Sequence, residues 1–169
     1  MSSVVGVPGL DMGSVGAWLV AAAGLHPPVR FVRVGKGASN LTYLATDVDG
    51  RRVVLRRPPL GDLLPSAHDV AREHRVLRAL APTGVPSPGV VAFTEDVTVT
   101  NAPLLVTEYV EGLVVDHVEV AAELGVAVRA RLGPALARAL ANVHAVDLGA
   151  VGLLDLASHK PYAARQLKR

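Results

Sequence analysis

The chain has 169 residues, half of them hydrophobic, enough for one domain or for a small lobe with part of another. Aromatics make up 4%, and 17 Lys and Arg are dispersed among 15 acids for a net charge of +2, which excludes an aromatic RNA platform and the concentrated basic face that nucleic acid requires. The absence of cysteine excludes disulfides, thiolate catalysis and Cys-based zinc or iron–sulfur sites. The 6 histidines show no H-E-x-x-H or comparable spacing, so no structural metal is expected.

In chain order, the longest apolar run near the start, Trp18 to Leu25, is too short to span a bilayer, and no Lys or Arg precedes it to form a signal-peptide n-region. Ser14 to Ala23 reads as a short helix with Val15, Trp18, Leu19 and Ala22 on one side, broken by His26-Pro27-Pro28. Val29 to Val34 reads as a first strand.

The chain is organised around Gly35 to Arg56, GKGASNLTYLATDVDGRRVVLR. Gly35 and Gly37 lack a Cβ and let the backbone approach an anion closely. Leu41, Tyr43 and Ala45 alternate with Thr42, Leu44 and Thr46 as in a strand, and Asp49-Gly50 signals a two-residue hairpin turn. The return strand, Arg51 to Arg57, ends at Pro58-Pro59, which supply no ladder donors. The glycine loop and Arg56 or Arg57 thus meet at one end of a phosphate-cradling hairpin. No G-x-x-x-x-G-K-[ST] run is present, and a strand rather than a helix follows the loop, so neither a P-loop nor a dinucleotide fold is implied.

Ser66 reads as the N-cap, with Asp69 as the acid of a capping-box-like start, of a helix from Ala67 to Leu80. Its apolar stripe, Val70, Leu77 and Leu80, also carries Glu73. An inward carboxylate calls for a cation, and strand alternation offers two: Arg56, on the face of Val54, or Arg57, on the face of Val53 and Leu55. The other reading puts Glu73 at the edge of the stripe, paired with Arg72, Arg75 or solvent.

A stiff connector with Pro86 and Pro88 leads to Val90–Phe93 and Val97–Thr100, read as a second hairpin, and Leu104–Thr107 reads as a buried strand. Glu108-Tyr109-Val110-Glu111-Gly112 reads as a hinge-like exit from a lobe that closes near residue 112. Beyond it lie helices over Val118–Val128 and Arg129–Val146, with Gly133-Pro134 as an alternative start of the second. His144 follows the apolar line Leu132, Leu136, Leu140, Val143 and reads as a packing or capping residue, and Pro161 to Arg169 is a basic amphipathic stretch.

Six motifs in order over Phe31 to Asp147 resemble the aminoglycoside phosphotransferase and choline-kinase-like family, in the branch similar to the kinase-like domain fused to acyl-CoA dehydrogenases: GKGASNLTYLA, VVLRRPP, LLPSAHDVAREHRVLRAL, VPSPGVV, LLVTEYVEG and LARALANVHAVD. The resemblance implies an α+β fold. A protein-kinase-like N-terminal lobe, a five-stranded antiparallel sheet with one inserted helix (residues 29–112), would follow an N-terminal helical segment (1–28) and precede the truncated start of a helical C-terminal lobe (113–169). It implies ATP as the ligand. Gly35, Gly37, Ser39 and Asn40 would lie at the phosphates, Arg56 at the place of the kinase lysine with Glu73 as its helix carboxylate, and Thr107 at the gatekeeper position. The C=O of Glu108 and N–H of Val110 would hold the adenine edge. Arginine keeps the lysine's charge but not its compact shape.

The family's H-G-D-x-x-x-x-N loop and later metal-binding aspartate have no counterpart here: His68-Asp69 is the only His-Asp pair and has no asparagine at the required offset. The resemblance therefore implies nucleotide binding without catalytic residues in this chain, and Mg²⁺ only with the remaining lobe. It also implies a cytoplasmic setting, and a partner chain or self-association through exposed C-terminal helices, with no nucleic-acid or membrane partner.

Overall fold

The computed structural model describes residues 7–35, 40–61 and 69–156. The chain forms two units, one of Met1–Arg78 with Ser87–Val114, the other of Ala79–Pro86 with Val115–Arg169.

The first unit is a five-stranded antiparallel sheet with one helix before it and one inserted within it. Helix α1, Met12–Ala23, starts two residues earlier than its apolar spacing indicates, because Asp11 caps it by accepting from the Ser14 N–H at 2.8 Å. Strands β1 (Arg30–Val34), β2 (Leu41–Thr46) and β3 (Arg52–Arg57) form the expected meander, and β4 (Val90–Thr94) and β5 (Leu104–Glu108) complete the order β1-β2-β3-β5-β4.

Two local expectations fail for the same reason, an aspartate side chain that captures the backbone. The β2–β3 connection is not a two-residue turn. Asp47 Oδ1 accepts from the N–H groups of Asp49 and Arg51, the Asp47 N–H still pairs with Arg51 O at 3.0 Å, and Gly50 takes φ 82° to close a loop over Val48, Asp49 and Gly50. Val97–Thr100 is not a strand. Asp96 Oδ1 accepts from both the N–H and the Oγ1 of Thr98, which curls the segment into a turn and leaves Val97 81% exposed.

Strand alternation divides the sheet into two unlike faces. Tyr43, Ala45, Val53, Leu55 and Val106 share one face and pack with Val15, Leu19, Ala23 and Leu25 into the main core. Two polar groups lie inside it and are satisfied by the backbone of the segment before α1: Tyr43 Oη donates to Pro8 O and Arg57 Nη1 to Gly9 O. Arg57, 2% exposed, also donates from Nε to Pro58 O and from Nη2 to Asn101 Oδ1. Thr42, Val54, Arg56, Leu105 and Thr107 occupy the opposite face.

Helix α2, Val70–Leu80, lies in this unit up to Arg78. Ser66 is outside the described residues, and the cap seen is Asp69, whose Oδ1 accepts from the Arg72 N–H at 2.8 Å. Val70 is buried, and the His74 ring stacks on Phe93 of β4 at 4.2 Å.

Among the described residues the second unit holds α3 (Val118–Glu123), α4 (Val126–His144) and a 3-10 turn, Leu154–Leu156. The break falls at Leu124 and Gly125, both in extended conformations, rather than near Val128, and Pro134 sits inside α4 instead of starting it. Asn142 of α4 donates to Gly84 O at 2.8 Å. None of the residues of α4 is buried, and its line of Leu132, Leu136, Leu140 and Val143 faces outward. Among the described residues no helix is long and apolar enough to cross a membrane.

Candidate functional site

The face of the sheet opposite α1 carries two recesses that share Thr42 and Arg56. The pairing explains why: Thr42 lies opposite Arg56 across β2–β3, and Val54 lies opposite Thr107 across β3–β5, so all four side chains leave the sheet on one side. One recess, of about 120 Å³, is polar and lies at the loop between β1 and β2, lined by Gly35, Asn40, Thr42 and Arg56 together with Arg33, Val34 and Leu41. The other, of about 430 Å³, is predominantly apolar and lined by Val54, Leu77, Pro88, Thr107, Tyr109 and Val110, with Glu73 and Glu108 at its walls. That size is within the range of small-molecule sites.

At the junction, Arg56 Nε stands 2.9 Å from Glu73 Oε2. Glu73 reaches the strand because α2 presents Val70, Glu73 and Leu77 at helical spacing on one face. The ionic distance is short, but the Nε–H does not point along it, so the buried Nε has no aligned hydrogen bond. Asn40 Oδ1 is also buried without a partner. Buried polar atoms left unpaired are costly, and here both belong to residues lining the polar recess. The Asn40 amide can take either orientation, so its NH₂ or its oxygen occupies that buried position, while the guanidinium of Arg56 gives the recess its positive charge. Gly35, at φ 84°, gives the adjoining backbone a conformation that a side chain would strain.

At the other end, the Glu108 N–H donates to Gly89 O at 2.9 Å, and the Glu108 carboxylate accepts from the Gly89 N–H at 3.1 Å. A Cβ on Gly89 would stand 2.8 Å from that carboxylate, so any other residue here would push the Glu108 side chain aside. On α2, burial and then the neighbouring Arg78 push the His74 pKa below its ordinary value, partly offset by Glu95, which keeps the stacked ring neutral at neutral pH.

Of the residues expected from sequence, Gly35, Asn40 and Arg56 line the polar recess, and Arg56, Glu73, Thr107, Glu108 and Val110 line the apolar one. Gly37 and Ser39 lie outside the described residues. The pairing choice resolves to Arg56, since Arg57 is turned into the opposite core. Sequence reasoning missed Thr42, Val54, Leu77, Pro88 and Tyr109. Strand alternation from Arg56 and the i+4 step from Glu73 carried a signal for the first three; Pro88 and Tyr109 had none.

A separate cluster, His26, Asp47 and Asp49, brings possible ligand atoms within 4.8 Å of one another. Its atoms are committed to the β2–β3 turn: Asp47 accepts from the N–H groups of His26, Asp49 and Arg51, and His26 Nδ1 lies 2.5 Å from Asp49 Oδ2.

A family model described as the phosphotransferase enzyme family matches residues 30–169. Acyl-CoA dehydrogenase family member 10 of Mus musculus is 34% identical over 153 residues, covering 89% of this chain and 14% of its own length. Probable acyl-CoA dehydrogenase IBR3 of Arabidopsis thaliana is 37% identical over 139 residues, 80% of this chain and 17% of its own. The chain therefore spans under a fifth of these curated relatives. The crystal structure of a putative aminoglycoside phosphotransferase from Ralstonia eutropha superposes with a TM-score of 0.75 at 29% identity, over 95% of this chain and 46% of that one.

Proposed function

Because the chain belongs to the phosphotransferase enzyme family, we propose that its sheet unit is the ATP-binding lobe of a small-molecule kinase, of the kind that transfers the γ-phosphate to a hydroxyl acceptor. The observation that carries this reading is Arg56, a cation held by Glu73 where a polar recess meets an apolar one. Adenine fits the apolar recess, with Thr107 at its inner wall and the C=O of Glu108 and N–H of Val110 along its edge. The phosphates fit the polar recess, where Arg56 supplies positive charge, Asn40 an amide and Gly35 a backbone N–H. ATP is abundant in the cytoplasm, which is the setting this reading assigns.

Phosphoryl transfer depends on positioning and on neutralising charge, and the sequence holds no H-G-D-x-x-x-x-N run to supply a base or Mg²⁺ ligands. The 169-residue chain on its own accordingly binds nucleotide without turnover. Thermal unfolding tests the binding. ATP at about 100 times its Kd adds about 2.7 kcal/mol to the stability of the bound state and raises Tm, whereas an unchanged Tm at millimolar ATP contradicts the reading.

One observation favours a second role beside it. Leu136 and Leu140 on α4 are 72% and 53% exposed, in line with Leu132 and Val143, an apolar stripe suited to another helix. More than half of the solved phosphotransferase chain lies outside the match, and a polypeptide corresponding to that remainder is the occupant we assign to the stripe. Sedimentation of the chain with and without such a fragment tests it, and a Leu136→Glu variant that still co-sediments contradicts it.

A further inference from the structure

The ladder between β3 and β5 ends at the pair Val53–Glu108, so the segment after Glu108 is no longer held by sheet register. The next residues on the two strands, Arg52 and Tyr109, meet through side chains instead: the Arg52 guanidinium lies 4.2 Å over the Tyr109 ring. The same Nη2 contacts both carboxylate oxygens of Glu111 at 2.8 Å. One guanidinium therefore grips the residues immediately before and after Val110. Arg52 is on the same face of β3 as Val54 and Arg56 but does not itself line the recess.

We propose that Arg52 is a positioning residue for the nucleobase, which fixes the Val110 peptide for the adenine edge by bracketing it between Tyr109 and Glu111. This rests on the proposed nucleotide site and deepens it. Two features support a role in binding rather than general stability. The Arg52–Glu111 pair is largely exposed, a setting in which ion pairs contribute little to folding, yet the Arg52 side chain contacts Tyr109 and Glu111, which flank Val110 of the recess lining. On the β4 side, the Gly89–Glu108 contacts hold the residue two before Val110, so the segment is clipped from both neighbouring strands before any ligand arrives.

The test compares Arg52→Ala, Arg52→Lys and Glu111→Gln in the full chain, with adenosine, ADP and inorganic tripolyphosphate as separate probes in calorimetry. Loss of the bracket weakens adenosine and ADP by the same factor, roughly 5- to 10-fold in Arg52→Ala, and leaves tripolyphosphate unchanged. Arg52→Lys recovers part of the loss, since it keeps charge without the planar stack, and Glu111→Gln loses less than Arg52→Ala. Adenosine affinity within twofold of the unaltered chain in Arg52→Ala overturns the inference while leaving nucleotide binding standing, as does an equal loss for tripolyphosphate. An unaltered chain that binds neither adenosine nor ADP overturns the nucleotide reading and this inference with it. Amide exchange at Val110 without ligand gives an independent check: it accelerates in Arg52→Ala, and unchanged protection there overturns the bracket itself.

Discussion

Arg56 Nε stands 2.9 Å from Glu73 Oε2, joining the third strand to the inserted helix where the polar and apolar recesses meet, while the next residue, Arg57, is buried in the opposite face of the same sheet. The two arginines are adjacent in sequence and have unrelated tasks. Arg56 is 39% exposed in its side chain and carries its charge where the two recesses meet. Arg57 donates to two backbone carbonyls and one side-chain amide and holds the segment before α1 to the sheet.

Their substitutions should therefore separate. Arg57→Ala strands the buried Pro58 carbonyl and the part-buried acceptors at Gly9 and Asn101 and lowers stability by about 1–3 kcal/mol. Arg56→Ala removes a half-exposed pair and costs about 0–1 kcal/mol. Urea unfolding of both variants checks this, and equal destabilisation would mean that Arg56 also has a structural role.

The pH dependence of the first unit should carry the signature of His74. Burial lowers its folded pKa, so the unfolded chain takes up the proton first as pH falls. Its contribution is fully present above the ordinary histidine pKa and is lost as pH falls through that value toward the lowered folded one. His26 works in the other direction. The hydrogen bond His26 donates to the Asp49 carboxylate, and then the charge of Asp49, raise the His26 pKa, so that contribution is complete below the ordinary histidine value and lost as pH rises through the raised one. Melting His74→Phe beside the unaltered chain from pH 7.5 to 5 isolates the first effect: the variant loses less Tm on acidification, and parallel curves would contradict it.

Asp47 predicts a further split. Burial raises its pKa, but the N–H groups of His26, Arg51 and Asp49 together outweigh that and hold it below the usual carboxylate range. Its contribution is present above the ordinary aspartate pKa and lost as pH falls through the lowered one. Asp47→Ala should lower Tm by several degrees at pH 7 and by much less near pH 3, and a pH-independent difference would show that the turn does not depend on the charged carboxylate.

Local pattern in the sequence reached part of this arrangement. Period-two alternation over Leu41–Thr46 and Arg52–Arg57, with helical spacing over Val70–Leu77, placed Arg56 and Glu73 within reach of one another, although it could not choose between the two arginines. That choice depends on partners far along the chain, Gly9 and Asn101, which no local pattern reveals. The turn at Asp96 and the loop at Asp47 were misread because one side-chain oxygen redirects several backbone N–H groups, whereas the apolar residues around it still read as strand. Arg52 was invisible for another reason: its partners Tyr109 and Glu111 become neighbours only once the β3–β5 register is set.

Catalysis gives a negative expectation. The purified chain with ATP, Mg²⁺ and a panel of amino alcohols should show no steady ADP release above the uncatalysed background, because positioned base and metal ligands supply much of the acceleration in phosphoryl transfer. Sustained release that tracks the protein through purification would mean that a catalytic group is present among these residues.

The most direct measurement is ATP affinity by calorimetry for the unaltered chain, Arg56→Ala and Arg56→Lys, each first shown to be folded. A charge-assisted contact to phosphate makes Arg56→Ala weaker by roughly 10- to 100-fold, with Arg56→Lys between the two, and leaves adenosine affinity unchanged. ATP binding that is undetectable in the unaltered chain, or equal in all three, would contradict a phosphate site built on Arg56.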